Sequence, residues 1–251
     1  MRREPAQYLV IEDHALAATP LKFLLQPIVR LADGRPYGYE LLYRGPRLGA
    51  WSVVDAALLR YLSGTTLQFP RLFINMANET LLGDVHDALV NASGKHQIVV
   101  ELSEARTTAD EGVLLAAKIN ALAKEGVKLA LDDFGAGQDG LQRLFTLDGI
   151  SVIKLDGELL RSALVRRDAA DTLYSLVRHW KERGILTVAE CIENEALFEL
   201  AHSLEVDFAQ GYFIDDITAS SSHQRVTIPS GNLHAVIPPS DLQAAHVHPH
   251  P

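Results

Sequence analysis

The chain has 251 residues, of which 47% are hydrophobic and 22% charged, and a formal net charge of −9 at pH 7. That length and apolar content suffice for one α/β domain with a sizeable core, while the acidic balance argues against the broad basic surface that duplex DNA or an anionic membrane requires. A single cysteine, Cys191, excludes an internal disulfide. No apolar run approaches a membrane span, and Glu12 and Asp13 interrupt the start, so the expectation is a cytoplasmic protein without a signal peptide.

In chain order, short apolar runs at 23–29, 37–43, 72–75, 98–102, 128–132, 152–155, 186–190 and 207–211 predict strands. The first two are joined through Ala32-Asp33-Gly34-Arg35-Pro36, which reads as a hairpin, so one strand is expected to run against the others. Helical periodicity follows at 51–62 (Val54, Leu58, Leu59, Leu62), 113–123 (Leu114, Leu115, Ile119, Leu122), 163–183 (Leu164, Leu173, Leu176, Val177, Trp180) and 196–204. Gly126 and Gly184 each follow basic residues at a helix end, as a left-handed C-terminal cap demands. Strands alternating with helices predict a parallel sheet with right-handed crossovers, and about eight strands favour closure into a (β/α)8 barrel over an open doubly wound sheet. Residues 1–219 are read as the barrel domain, and 220–251, rich in Ser, Pro and His, as a partly ordered tail.

Several strands end in polar groups. Glu40 lies within the second, Asn75 ends the third, Glu101 the fourth, Asp132 and Asp133 the fifth, Lys154 lies in the sixth, Glu190 ends the seventh, and Gln210 falls in the last. One acid at a strand end is ordinarily a helix cap or a loop residue. Six acid or amide groups at separate strand ends point instead to a shared site at one mouth of the barrel. Carboxylates held together repel and raise one another's pKa, which divalent cations relieve. Oxygen ligands without His or Cys favour Mg²⁺, Mn²⁺ or Ca²⁺ over Zn²⁺, and a pair of such ions suits in-line displacement at phosphorus. The glycines of Phe134-Gly135-Ala136-Gly137 make a weak dinucleotide-binding signal, Cys191 reads as a structural thiol, and His246, His248 and His250 as solvated tail.

In these residues the chain resembles the EAL domains, bacterial cyclic di-GMP phosphodiesterases. The anchors in order are Gln26-Pro27-Ile28-Val29, Tyr39-Glu40-Leu41-Leu42-Tyr43-Arg44, Phe73-Ile74-Asn75-Met76, Glu101-Leu102-Ser103-Glu104, Leu131-Asp132-Asp133-Phe134-Gly135-Ala136-Gly137, Val152-Ile153-Lys154-Leu155-Asp156, Ala189-Glu190-Cys191-Ile192-Glu193 and Gln210-Gly211-Tyr212-Phe213. The resemblance implies hydrolysis of cyclic di-GMP to linear pGpG with Mg²⁺ or Mn²⁺ in a two-metal site. Glu40, Asn75, Glu101 and Asp132 would hold the first ion, and Asp132 and Asp133 the second, with Glu190 close by. Glu40, Lys154, Glu190 and Asp133 form the catalytic set. Gln26, Arg44 and Gln210 would contact the dinucleotide or a nearby water, and Glu104 would tether the loop after Asp133. It also implies a possible homodimer.

The chain departs from the family pattern in five places, one of them Ser151 where the family often has Asp. Leu41 stands for the Ala of the signature, Gln138-Asp139-Gly140 alters the loop after Asp133, Cys191 replaces a usual Gly, and the stretch between Arg44 and Asn75 is short. These departures leave open a second expectation, an EAL domain of weak or no activity that serves as a cyclic di-GMP receptor or binds a regulatory protein partner.

Overall fold

The computed structural model describes residues 7–12, 20–46, 49–103, 108–137 and 140–220. The elements run β1 (Tyr8–Ile11), β2 (Leu21–Arg30), β3 (Pro36–Tyr43), α1 (Trp51–Gly64), β4 (Leu72–Met76), α2 (Asn78–Leu82), α3 (His86–Lys95), β5 (Ile98–Leu102), α4 (Ala109–Lys124) and β6 (Lys128–Phe134). They continue with α5 (Gly140–Thr146), β7 (Ile150–Leu155), α6 (Gly157–Val165), α7 (Arg167–Glu182), β8 (Leu186–Ala189), α8 (Glu195–Ser203), β9 (Phe208–Ala209) and α9 (Tyr212–Ser220). Strands β2 to β9 pair in sequence order, and β2 pairs with β9 to close an eight-stranded barrel. β2 runs antiparallel to both β3 and β9, and the pairs from β3–β4 to β8–β9 are parallel. The barrel with one reversed strand is therefore the architecture that the alternating pattern predicts.

The hairpin between β2 and β3 turns at Gly34, whose φ of 68° is readily reached only without a Cβ, and it closes through Gly34 N–H donating to Arg30 O at 2.8 Å. Both expected helix stops are present. Val127 N–H donates to Leu122 O across Gly126, and Ile185 N–H donates to Trp180 O across Gly184, each the six-residue closure of a left-handed cap.

Two expectations are corrected. The apolar period at 163–183 is two helices, broken where Arg166 takes extended angles (φ −128°, ψ 113°). Leu164 is consequently 42% exposed rather than part of a buried face. β1, unread in the sequence, adds a short antiparallel edge outside the closed barrel, pairing Tyr8–Ile11 with the start of β2. The tail at 221–251 lies outside the described residues. Among the described residues no helix is long and apolar enough to cross a membrane.

The barrel interior is layered. Ile28, Phe73, Val99, Ala130, Val152, Val188 and Phe208 form an apolar plug of their own, closed by Tyr37 stacked on Phe208 at 3.8 Å between centroids. Side chains two residues apart on a strand share a face. The next inward position after each plug residue on the parallel strands is therefore Asn75, Glu101, Asp132, Lys154, Glu190 or Gln210, a polar layer directly above an apolar one.

Candidate active site

Lys154 stands at the centre of that polar layer and is 1% exposed. Its Nζ lies 2.7 Å from Glu101 Oε1, 2.8 Å from Asp132 Oδ1, 2.8 Å from Glu190 Oε1 and 3.3 Å from Glu40 Oε2. β3, β5, β6 and the residue following β8 thus deliver four carboxylates to one ammonium carried by β7. Asn75 Nδ2 donates to Glu40 Oε1 at 3.0 Å and to Glu101 Oε2 at 2.9 Å. Gln210 Nε2 donates to Glu40 Oε2 at 2.5 Å and to Gln26 Oε1 at 3.0 Å. Asp132, Asp133 and Glu190 form a second grouping whose carboxylate oxygens lie within 4.8 Å of one another.

Electrostatics follow from that crowding. Burial, then the neighbouring charges of Glu40 and Asp132, hold the Glu101 carboxyl well above the ordinary carboxylate range. Burial, with the charges of Asp132 and Glu40, does the same to Glu190. For Glu40 burial pushes upward, but Lys154 and the amides of Gln210 and Asn75 outweigh it and the pKa falls. Burial would lower Lys154, yet the surrounding acids, Asp132 and Glu101 foremost, raise it well above its usual value, so it stays charged.

The donor set fits divalent cations. One ammonium cannot satisfy three buried carboxylates and a partly buried fourth: Glu101 Oε1 and Asp132 Oδ1 approach Nζ closely but without hydrogen-bond geometry, leaving buried acceptor capacity. All the ligands are hard oxygens, the chemistry of Mg²⁺, Mn²⁺ or Ca²⁺. The Cys191 thiol beside Glu190 is half-buried and pushed up to about 11, first by burial and then by the Glu190 charge, so it is not a thiolate at neutral pH.

The structure brings together Glu40, Asn75, Glu101, Asp132, Asp133, Lys154, Glu190, Gln210 and, through Gln210, Gln26. Arg44 differs: it is exposed at the end of β3, its Nη1 donates to Tyr43 O at 3.1 Å, and among the described residues it joins no acid of the cluster. Glu104, Gln138 and Asp139 lie outside the described residues. Two residues not singled out in the sequence also belong to the surroundings. Asp215 of α9 accepts from Gln26 Nε2 at 3.5 Å, and Arg143 of α5 donates to Leu102 O at 3.0 Å, tying α5 to the end of the strand that carries Glu101. Asp215 lies just beyond the Gln210-Gly211-Tyr212-Phe213 run, which was the available signal; Arg143 had none.

A family profile described as EAL domain matches residues 54–216. The oxygen sensor protein DosP of Escherichia coli is 26% identical over 230 residues, 79% of this chain and 28% of that protein. The cyclic di-GMP phosphodiesterase PdeA of Borreliella burgdorferi is 32% identical over 87 residues, 35% of this chain and 13% of that protein. This chain therefore spans well under half the length of these relatives. Among solved structures, a manganese and cyclic di-GMP complex of Klebsiella pneumoniae BlrP1 is 27% identical with a TM-score of 0.62, covering 82% of this chain and 57% of that one. An EAL domain protein from Listeria monocytogenes, 19% identical with a TM-score of 0.63 over 86% and 92% of the two chains, shares the fold.

Proposed function

The chain belongs to the EAL domain family, and from that premise we propose that it is a divalent-cation-dependent phosphodiesterase that opens cyclic di-GMP to linear pGpG. The observation that carries the proposal is the convergence of Glu40, Glu101, Asp132 and Glu190 on Lys154 at one end of a closed barrel. A phosphodiester adds negative charge in its transition state, and an acidic protein needs a local source of positive charge to receive it. Glu40, Asn75, Glu101 and Asp132 would hold one Mg²⁺ or Mn²⁺, and Asp132, Asp133 and Glu190 a second. Such ions lower the pKa of bound water and neutralise charge on the non-bridging oxygens.

The protein's own groups supply the remainder. Lys154, kept protonated by the acids around it, offers its Nζ protons to the attacking water and to developing charge. Glu190, 2.8 Å from Lys154 Nζ, is placed to accept a proton from the attacking water once cations hold it ionised. Gln210 and Gln26 present a chain of amides along one side of Glu40, and Arg44 at the rim would reach a phosphate of the incoming dinucleotide. Lowering the level of this second messenger would be the consequence in a bacterial cell.

The test is incubation of purified protein with cyclic di-GMP and Mg²⁺ or Mn²⁺, with the linear product followed by chromatography. Turnover that disappears on chelation and in Glu40→Ala supports the proposal. Tight binding without product would make the chain a receptor, and undiminished cleavage by Glu40→Ala would remove the site assignment.

A further inference from the structure

Asp55 of α1 is 5% exposed, and no cation pairs with it among the described residues. A buried carboxylate without a counter-charge is costly unless its hydrogen bonds are met and it does something an apolar residue cannot. Its Oδ2 accepts from Ala77 N–H at 3.0 Å and from Thr80 Oγ1 at 2.5 Å. Ala77 is the N-cap residue of α2 and has no side-chain acceptor of its own. In the reverse direction, Glu79 Oε1 of α2 accepts from Ser52 N–H in the first turn of α1 at 2.9 Å, where α1 likewise lacks a side-chain cap. Two carboxylates, one from each helix, thus satisfy backbone donors of the other helix's start. Helices α1 and α2 are fixed relative to each other at the end of the barrel where the polar layer opens.

Ala77 is two residues past Asn75, so the anchored amide lies within about 7 Å of chain from the residue whose Nδ2 bridges Glu40 and Glu101. We propose that Asp55 is a positioning residue: by pinning the turn between β4 and α2 it sets the placement of the Asn75 amide against Glu40 and Glu101. The proposal rests on the reading that Asn75 belongs to a cation site. The shortness of the chain between β3 and α1 gives the arrangement its reason, since α1 follows β3 closely and can place an acid behind β4. Leu or Ala at this point would pack without desolvating a charge but would leave Ala77 N–H and the Thr80 hydroxyl, itself buried, without their acceptor.

Three variants of the full chain test it. In Asp55→Asn the side-chain oxygen can still accept from both Ala77 N–H and the Thr80 hydroxyl, which share one acceptor atom in the parent; Asp55→Ala removes both bonds; Thr80→Val removes one and keeps the volume. Two readouts are taken on each. The first is the NMR resonances of the Asn75 side-chain amide and the hydrogen exchange of Ala77 in protein without added metal. The second is Mn²⁺ affinity by calorimetry. In Asp55→Ala the Asn75 amide resonances are expected to shift or broaden, Ala77 to exchange faster, and Mn²⁺ affinity to fall about tenfold, with Asp55→Asn within about twofold of the parent. Thr80→Val is expected to lie between and serves if Asp55→Ala fails to fold. Unchanged Asn75 resonances in Asp55→Ala, or in Thr80→Val in its place, overturn the proposal. A parent protein that binds no Mn²⁺ defeats the cation reading alone, and the NMR comparison still decides the role of Asp55.

Discussion

Lys154 and Glu101 form an ion pair of 2.7 Å in which the two side chains are 1% and 0% exposed. Few arrangements in a protein are as dependent on company: remove the ammonium and Glu101, Asp132, Glu190 and Glu40 are left facing one another in a water-poor interior. Lys154→Met should therefore destabilise metal-free protein by about 3–5 kcal/mol, the cost of breaking a buried pair from one side. Urea denaturation in the presence of a chelator measures the loss, and added Mn²⁺ should shrink it, because the acids then regain a cation. A variant as stable as the parent in chelator would show that Lys154 is not the counter-ion of the cluster.

Cations that bind the folded but not the unfolded chain stabilise it by mass action. At about one hundred times the dissociation constant, Mn²⁺ should add about 2.7 kcal/mol, with a matching rise in melting temperature that excess chelator reverses. Thermal denaturation followed by circular dichroism checks this, and a melting temperature indifferent to Mn²⁺ would contradict it.

Asp55 gives a pH signature separate from the cluster. Burial, partly offset by its bonds from Thr80 and Ala77, raises its pKa from 3.8 to about 6. Below the unfolded value the group is neutral in both states. Between about pH 4 and 6 the folded protein holds a proton that the unfolded chain releases, so stability falls as pH rises, by about 3 kcal/mol in all, and the loss is complete above pH 6. Asp55→Asn cannot ionise. The stability difference between parent and Asp55→Asn should therefore move against the parent across that window, as read from urea midpoints at several pH values; a constant difference would mean that Asp55 is not held protonated.

The fold's sequence logic is most visible in pairs of residues two apart. Phe73 and Asn75, Val99 and Glu101, Ala130 and Asp132, Val152 and Lys154, Val188 and Glu190, and Phe208 and Gln210 repeat one device, an apolar plug residue beneath a polar site residue. Each pair sits in a run otherwise apolar, and that contrast made the strands, their common mouth and most of the site readable. What stayed hidden depends on context outside such runs. β1 is four residues pairing outside the barrel, too short to announce itself. The break at Arg166 interrupts a period that continues on both sides; Asp156, which accepts from Glu158 N–H at 2.7 Å, was a usable signal for the start of α6 and not for its end. Asp55 stands three, four and seven residues before Leu58, Leu59 and Leu62, on the apolar face of α1, and that placement was a usable signal of its burial; its partners Ala77 and Thr80 were not legible in the sequence. Arg44 follows the expected spacing from Glu40, but a strand does not fix a long side chain at its end, and Arg44 is exposed with its Nη1 on Tyr43 O.

Cys191 adopts φ 52°, a left-handed conformation that glycine reaches without strain. Its Cβ fills the space beside Gly157, where an added Cβ would come within 2.6 Å. Gly157→Ala should accordingly cost about 1–3 kcal/mol and, by displacing the neighbour of Glu190, lower turnover. Adding Cys191→Gly should recover most of both losses, a coupling that a double-mutant cycle quantifies. Additive effects would show that the two positions do not meet.

The most direct measurement is the number of Mn²⁺ ions that the purified chain binds, by calorimetry or electron paramagnetic resonance. Two ions per chain are expected, one lost in Asp133→Asn, with binding greatly weakened when Asp132, common to both groupings, becomes Asn. No saturable binding, or binding unaltered in Asp132→Asn, would mean that the acids gathered around Lys154 are not a cation site.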